Sequence, residues 1–242
     1  MNANRKTATI VGILYIIGTV AGVLSVVFTQ AILNDPDYLV KIHSNGNPIT
    51  IGALFVLLMG LSLALVPVVM YPILKKFNEA LAMGYVVYRG GLETFTYMAT
   101  VLCWLLLVPL SQGIVQAGAT QAANFQALGD LLRKAAETGS TLTAIVFPLG
   151  ALMLYYLLYR SNLIPRWISI WGVIAVILNL LSTGLAPLFG LLNSMSPVQT
   201  AANLPIFLQE MVMAVWLIVK GFNPSAIASG FARAEMSQGE EK

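Results

Sequence analysis

Long apolar runs separated by short polar segments make up almost the whole chain, and none of the runs alternates strictly between apolar and polar residues. Crossing the hydrocarbon of a bilayer takes roughly 20 apolar residues in a helix. Six runs meet that length, at about Thr7–Leu33, Ile49–Leu74, Leu81–Leu110, Thr141–Tyr159, Trp167–Leu192 and Val198–Val219. In lipid only helices and closed barrels satisfy every backbone group. A barrel strand would show the missing period of two. The pattern therefore predicts an all-α integral membrane bundle of six transmembrane helices with short surface helices. Residues 1–222 form the six-span transmembrane domain and residues 223–242 a cytoplasmic tail.

The polar connections carry their own signals. Asp35–Pro36 is a cap and first-turn pair, with Gly46 as the stop of a short surface helix that includes the solvated His43. Between Ser111 and Ser140, Phe125, Leu128, Leu131 and Leu132 recur at helical spacing among Asp130, Arg133, Lys134 and Glu137. That spacing predicts an amphipathic helix over Asn124–Glu137 lying on the outer membrane surface. Asn223–Pro224 opens a further short helix in the tail, and the acidic end from Ser237 is expected to be disordered. Arg5 and Lys6 before the first run would also suit a signal peptide. The run exceeds a signal core of about 7–15 residues and no small-x-small site follows closely, so it is read as an uncleaved span. Gly18 and Gly22 in that span form a close-approach pair suited to ordinary internal packing, and Pro67 and Pro72 are expected to bend the second span.

Composition agrees with the pattern. The hydrophobic fraction is 58% and the charged fraction 10%, against about 25% charged residues in soluble domains. Threaded through six spans, Arg5, Lys6, Lys75, Lys76, Arg160, Arg166, Lys220, Arg233 and Lys242 fall on one side and Lys41, Arg133 and Lys134 on the other. The positive-inside rule assigns the richer side, and both termini, to the cytoplasm. The basic residues flank apolar runs and form no patch, so nucleic acid is not an expected partner; the lipid bilayer is.

The sequence offers little chemistry. One histidine and one cysteine, His43 and Cys103, cannot build a His/Cys metal site, and no hydrolase, zinc-protease, phosphate-loop or dinucleotide motif is present. No cofactor is implied. What stands out is charge inside the spans: Arg89, Glu93 and Glu210. A charge at the centre of a membrane helix costs about 2.5–3.5 kcal/mol on insertion scales, so such residues are paired or functional. Counted from the basic ends of their spans, Arg89, Asn179 and Ser62 lie roughly 20 Å deep and Glu210 roughly 15 Å, with Glu93 one turn beyond Arg89. Arg89 and Glu93, four apart, share a helix face. Gly90 and Gly91 leave backbone room between them, Gln209 adjoins Glu210, and Pro148 and Pro205 each free a nearby carbonyl. Arg89, Glu93, Glu210, Gln209, Asn179 and Ser62 are thus candidate ligand-binding residues near the midplane. One arginine facing two carboxylates leaves a formal charge of minus one, which suits a proton relay or a cationic or polar ligand.

Several segments resemble a bacterial membrane family catalogued as domain of unknown function 4386. They are Ile10–Tyr15, Tyr71–Lys76, Arg89-x-x-x-Glu93, Leu163–Ser169, Leu208–Met211 and Trp216–Phe222. The resemblance implies a six-helix protein of the bacterial plasma (inner) membrane and no established activity. Three functions stay open. The first is a small-solute or proton-coupled transporter or channel that uses the midplane cluster for a small polar or lipid-like ligand. The second is a structural or regulatory membrane protein in which the cluster only joins helices. The third is an intramembrane enzyme with Glu93 or Glu210 as acid–base, which lacks a nucleophile or metal beside it.

Overall fold

The computed structural model describes residues 3–116, 119–192, 196–230 and 232. Arg233, Lys242 and the stretch from Ser237 lie outside them. The described residues are helices joined by short turns, with no strand among them and six helices long and apolar enough to cross a membrane, and the chain is a multi-pass membrane protein. In chain order the elements are α1 (Ala3–Leu33), α2 (Tyr38–Ser44), α3 (Asn47–Leu74), α4 (Glu79–Tyr85), α5 (Glu93–Gln116), α6 (Ala119–Ser161), α7 (Arg166–Asn179), α8 (Ala186–Leu188) and α9 (Pro197–Val219). Two π-helical segments interrupt spans without breaking them. The first, π1, is Val86–Leu92 and joins α4 to α5; the second, π2, is Leu180–Leu185 and joins α7 to α8.

The span ends follow from local chemistry. Asn78 caps α4 by accepting the Leu81 amide at 2.9 Å, and Ser196, followed by Pro197, caps α9 through the Gln199 amide at 3.2 Å. α9 stops at Gly221, whose φ of 74° needs no Cβ clearance. The turn from α6 to α7 passes through Asn162 at φ 55°, a left-handed conformation that asparagine tolerates.

α1 and α9 meet at the basic end. Arg5 donates to the carbonyls of Leu217, Ile218 and Val219, and a Cβ on Gly12 would lie 2.6 Å from the Ala214 carbonyl. Gly18 and Gly22 do serve internal packing, against Leu63 and Met59 of α3. The tail closes this end: Asn223 donates its amide to the Leu163 carbonyl at 2.9 Å, and Gly230 lies against the Phe77 ring. The largest apolar core, including Tyr15, Met70, Leu74, Leu154, Tyr155 and Leu217, fills the half of the bundle nearer this end.

Three expectations need correction. The stretch Asn124–Glu137 is helical but is no separate surface helix; it is the first third of α6, which runs unbroken for 43 residues. Gly139 and Ser140 do not break it, because Gly139 is buried where α5 approaches, 3.0 Å from the Thr100 hydroxyl to a would-be Cβ. The face that packs is Phe125, Gly129, Leu132 and Ala136, against α2 and α5, while Leu128 and Leu131 stay exposed. Gly46 is not the residue that stops the short surface helix: α2 ends at Ser44 with Asn45 as its C-cap, and Gly46, at φ −78°, is the N-cap of α3. The fifth span ends at Leu188, because Gly190 takes φ 68° and turns the chain.

Candidate functional site

Arg89 sits in π1 with its side chain 3% exposed. Its Nη1 donates to both carboxylate oxygens of Glu93 at 3.2 Å, and its Nη2 donates to Glu210 Oε1 at 2.9 Å. The guanidinium therefore joins the third span to the sixth, the forked geometry that makes arginine suited to two carboxylates at once. Phe147 of α6 lies over the guanidinium, 4.4 Å from its ring centroid. α6 can come this close because Gly150, one turn on, puts a would-be Cβ only 3.2 Å from the Arg89 amide nitrogen. Tyr97 donates to Glu93 Oε1 at 2.8 Å. Below the cluster, Tyr15 and Tyr85 share a hydrogen bond of 3.2 Å and fill the way towards the basic end.

Glu210 differs from its two partners. Glu93 is 1% exposed in its side chain and Glu210 15%. The exposed part faces a cavity of about 440 Å³ lined by α1, α3, α5, α6, α9 and the junction of α7 with π2. Arg89, Glu93, Glu210 and Asn179 all line it, together with Thr143, Phe147, Asn203, Ile206 and Phe207. On its lipid side stand Val23 and Val26 of α1 and Phe207 of α9, all exposed. The bundle is thus packed across the half nearer the basic end; in the other half two smaller cores, around Ile49 and Leu107 and around Ala53 and Val101, hold α2, α3 and α5, and the cavity opens beside them with the ion-paired cluster at the boundary.

Asn179 donates to Asn203 Oδ1 at 2.7 Å, and Thr183 donates to the same oxygen at 3.0 Å. Asn179 Oδ1 is buried and has no hydrogen-bond partner. Two other candidates lie elsewhere. Gln209 is fully buried about 100° around α9 from Glu210, accepting from Tyr155 at 2.6 Å and donating to the Ile168 carbonyl at 3.1 Å. It fixes α9 against α6 and α7. Ser62 is buried in α3 but does not line the cavity.

Sequence reasoning missed Asn203, Tyr97, Phe147 and Thr143. Asn203 was discoverable, since positions 203, 206, 207 and 210 share one helical face. Both π segments were also missed. π-bulges recur at functional sites, and here one contains Arg89 while the other begins directly after Asn179. Two larger hollows, of about 680 and 710 Å³, are open to the surface, as the cavity at the cluster is. One lies between the α6–α7 turn and the tail, and the other is an apolar groove of α3 and π1 on the outside of the bundle. Neither holds a buried carboxylate. Among the described residues no group of His, Cys, Asp and Glu is placed to hold a metal.

The sequence profile of a family described as domain of unknown function (DUF4386) matches residues 10–221. That span takes in every element of the cluster, and the chain belongs to this family. No curated protein and no solved structure matches the chain.

Proposed function

Starting from that membership, which names no activity, we propose that the protein is a proton-coupled carrier for a small solute, with Arg89, Glu93 and Glu210 as its coupling site. One observation carries the reading: a buried ion-pair cluster with a formal excess of one negative charge forms the floor of a cavity large enough for a small molecule. Ligand pockets typically measure about 300–1,000 Å³, and ionisable residues inside a membrane mark substrate or proton paths. The unpartnered Asn179 acceptor at the same cavity supports it. The packed half of the bundle favours a carrier over an open channel, since Tyr15, Tyr85 and Tyr155 fill the route beyond the cluster. The bias of basic residues supports a bacterial inner-membrane orientation with the packed half facing the cytoplasm. The cavity then faces the outer half of the bilayer.

The test is solute-driven proton flux. Liposomes containing the purified protein and a trapped pH dye are challenged with a panel of amines, amino acids, sugars and short acids. We expect at least one class to drive proton movement in wild type and not in Glu210→Gln, with the variant inserted and folded. If no class moves protons in either protein, the carrier reading fails. A structural role is the second reading, and its supporting observation is that Arg89 is paired on both sides. Under it, Glu210→Gln leaves every phenotype unchanged.

A further inference from the structure

We propose that the solute is a small amphipathic cation, an ammonium group on an apolar body, which enters the cavity sideways from the bilayer between α1 and α9 and displaces one proton. This deepens the carrier reading and rests on it. Three independent features of the cavity lead to it.

The first is the wall. Away from the cluster the lining is mostly apolar, with Val23, Val26, Met59, Leu63, Ile206 and Phe207; of its polar side chains, Thr143 and Asn203 already bond within the protein and Thr19 and Ser140 add two hydroxyls. A sugar or amino acid would leave its polar groups unpaired there, at about 1–3 kcal/mol for each. An apolar body matches the wall instead.

The second is the charge at the floor. Glu210 faces Arg89 and Glu93 of the third span, with the hydroxyls of Tyr15 on α1, Tyr85 on α4, Tyr97 on α5 and Tyr155 on α6 around the cluster. α3 and α7 bring no charged group to it; α7 brings the amide of Asn179. One cation against two carboxylates leaves minus one. An anionic solute is repelled. A cation or a proton restores neutrality, and the two together overshoot it. Loading a cation therefore requires loss of a proton, and the exchange is one for one and electroneutral. The rings of Tyr97 and Phe147 also line the cavity, Phe147 with one face already on Arg89, and an aromatic lining suits an ammonium group. So does the free amide oxygen of Asn179, the negative end of a dipole with no partner.

The third is the route. α1 and α9 are clamped together at the basic end by Arg5 and Gly12. Further along, they are separated by the cavity, with Val23, Val26 and Phe207 exposed at its edge. A solute dissolved in the bilayer reaches Glu210 there without crossing the packed half.

Equilibrium binding tests the proposal with benzyltrimethylammonium, its uncharged isostere neopentylbenzene and the anion phenylmethanesulfonate. The purified full-length protein in nanodiscs is titrated with each, and released protons are followed with a dye in weak buffer. In wild type we expect the cation to bind at least tenfold tighter than the isostere and to release about one proton per cation bound. The anion should not bind. Glu210→Gln should lose at least tenfold in cation affinity and all proton release. Val23→Trp, which narrows the gap without touching the charges, should slow cation association with unchanged proton stoichiometry. Equal affinities for cation and isostere, or cation binding indifferent to Glu210→Gln, would overturn the proposal. So would cation binding without proton release. These results are separable from failure of the carrier reading. Flux driven by another solute class with no cation binding refutes only the substrate, whereas cation binding with proton release but no flux refutes only transport.

Discussion

Replacing Arg89 by alanine removes three hydrogen bonds, two to Glu93 at 3.2 Å and one to Glu210 at 2.9 Å. Hydrogen bonds between helices in membranes average about 0.6 kcal/mol, so the lost bonds alone amount to about 2 kcal/mol. The larger effect is what remains: two carboxylates, 1% and 15% exposed, with no cation between them. Removing one member of a buried pair costs about 3–5 kcal/mol, and we expect Arg89→Ala to lose stability in that range. Arg89→Lys should fall between, because one ammonium cannot present the two-sided fork. The decisive control removes all three charges at once, as Arg89→Met with Glu93→Gln and Glu210→Gln. It should recover most of the loss, since no buried charge is left unpaired. Cys103, half-buried on α5 and ten residues beyond Glu93, is a built-in reporter. Its labelling by a thiol-reactive dye during heating or SDS titration reads unfolding directly. An Arg89→Ala protein as stable as wild type, or a neutral triple variant no more stable than Arg89→Ala, would refute the reasoning.

Three further outcomes follow from other parts of the molecule. Gly129→Leu should destabilise the far end by about 1–3 kcal/mol through overpacking, because a Cβ there already meets the Tyr38 hydroxyl at 2.4 Å and Leu39 at 2.8 Å. Thermal unfolding measures the loss, and cation binding at Glu210 should be unaffected. The Lys41 ammonium, and then the Asp37 amide, hold the Asp35 carboxyl below the usual carboxylate range. A lowered folded value means this contact is intact above the ordinary carboxylate range and is lost as pH falls through that lowered value. Amide exchange in α2 should rise there, and at a higher pH in Lys41→Ala; identical profiles would remove the link. Reporter fusions after Lys76 and Arg166 should give cytoplasmic signals and one near His43 the opposite, and the reverse pattern would invert the orientation inferred from charge.

The spans were readable because apolar length is a coarse and redundant signal: six runs of that size admit few other folds. The pairing of Arg89 with Glu93 and Glu210 was also readable, since depth counted from the basic ends put them in one layer and energy forbids a lone arginine there. Gln209 shows where that reasoning stops. Depth says nothing about azimuth, and Gln209, next to Glu210 in sequence, points about 100° away around α9 and holds Tyr155 instead. The surface-helix reading of Asn124–Glu137 failed for a related reason. Periodicity finds an apolar stripe but does not say whether it meets lipid or protein, and α2 and α5 cover part of that stripe. The cavity was invisible, because a void depends on how six helices splay.

The winding of π1 has a mechanical consequence. Tyr85, Arg89, Glu93 and Tyr97 are spaced by four. In an α-helix each residue turns about 100°, so every step of four overshoots a full circle by about 40° and the three steps by about 120°. A span wound as α-helix throughout would therefore spiral this stripe away from the cavity, with Tyr97 a third of a circle from Tyr85. The wider π turn absorbs the overshoot and keeps all four on one side. The apolar residues that lie in the bilayer are the same in either winding, but the bearing of the carboxylate is not. Converting π1 to α, with no residue changed, would act as a rotary joint: the far half of the span would turn against the near half, carrying Glu93 away from Arg89 or back to it.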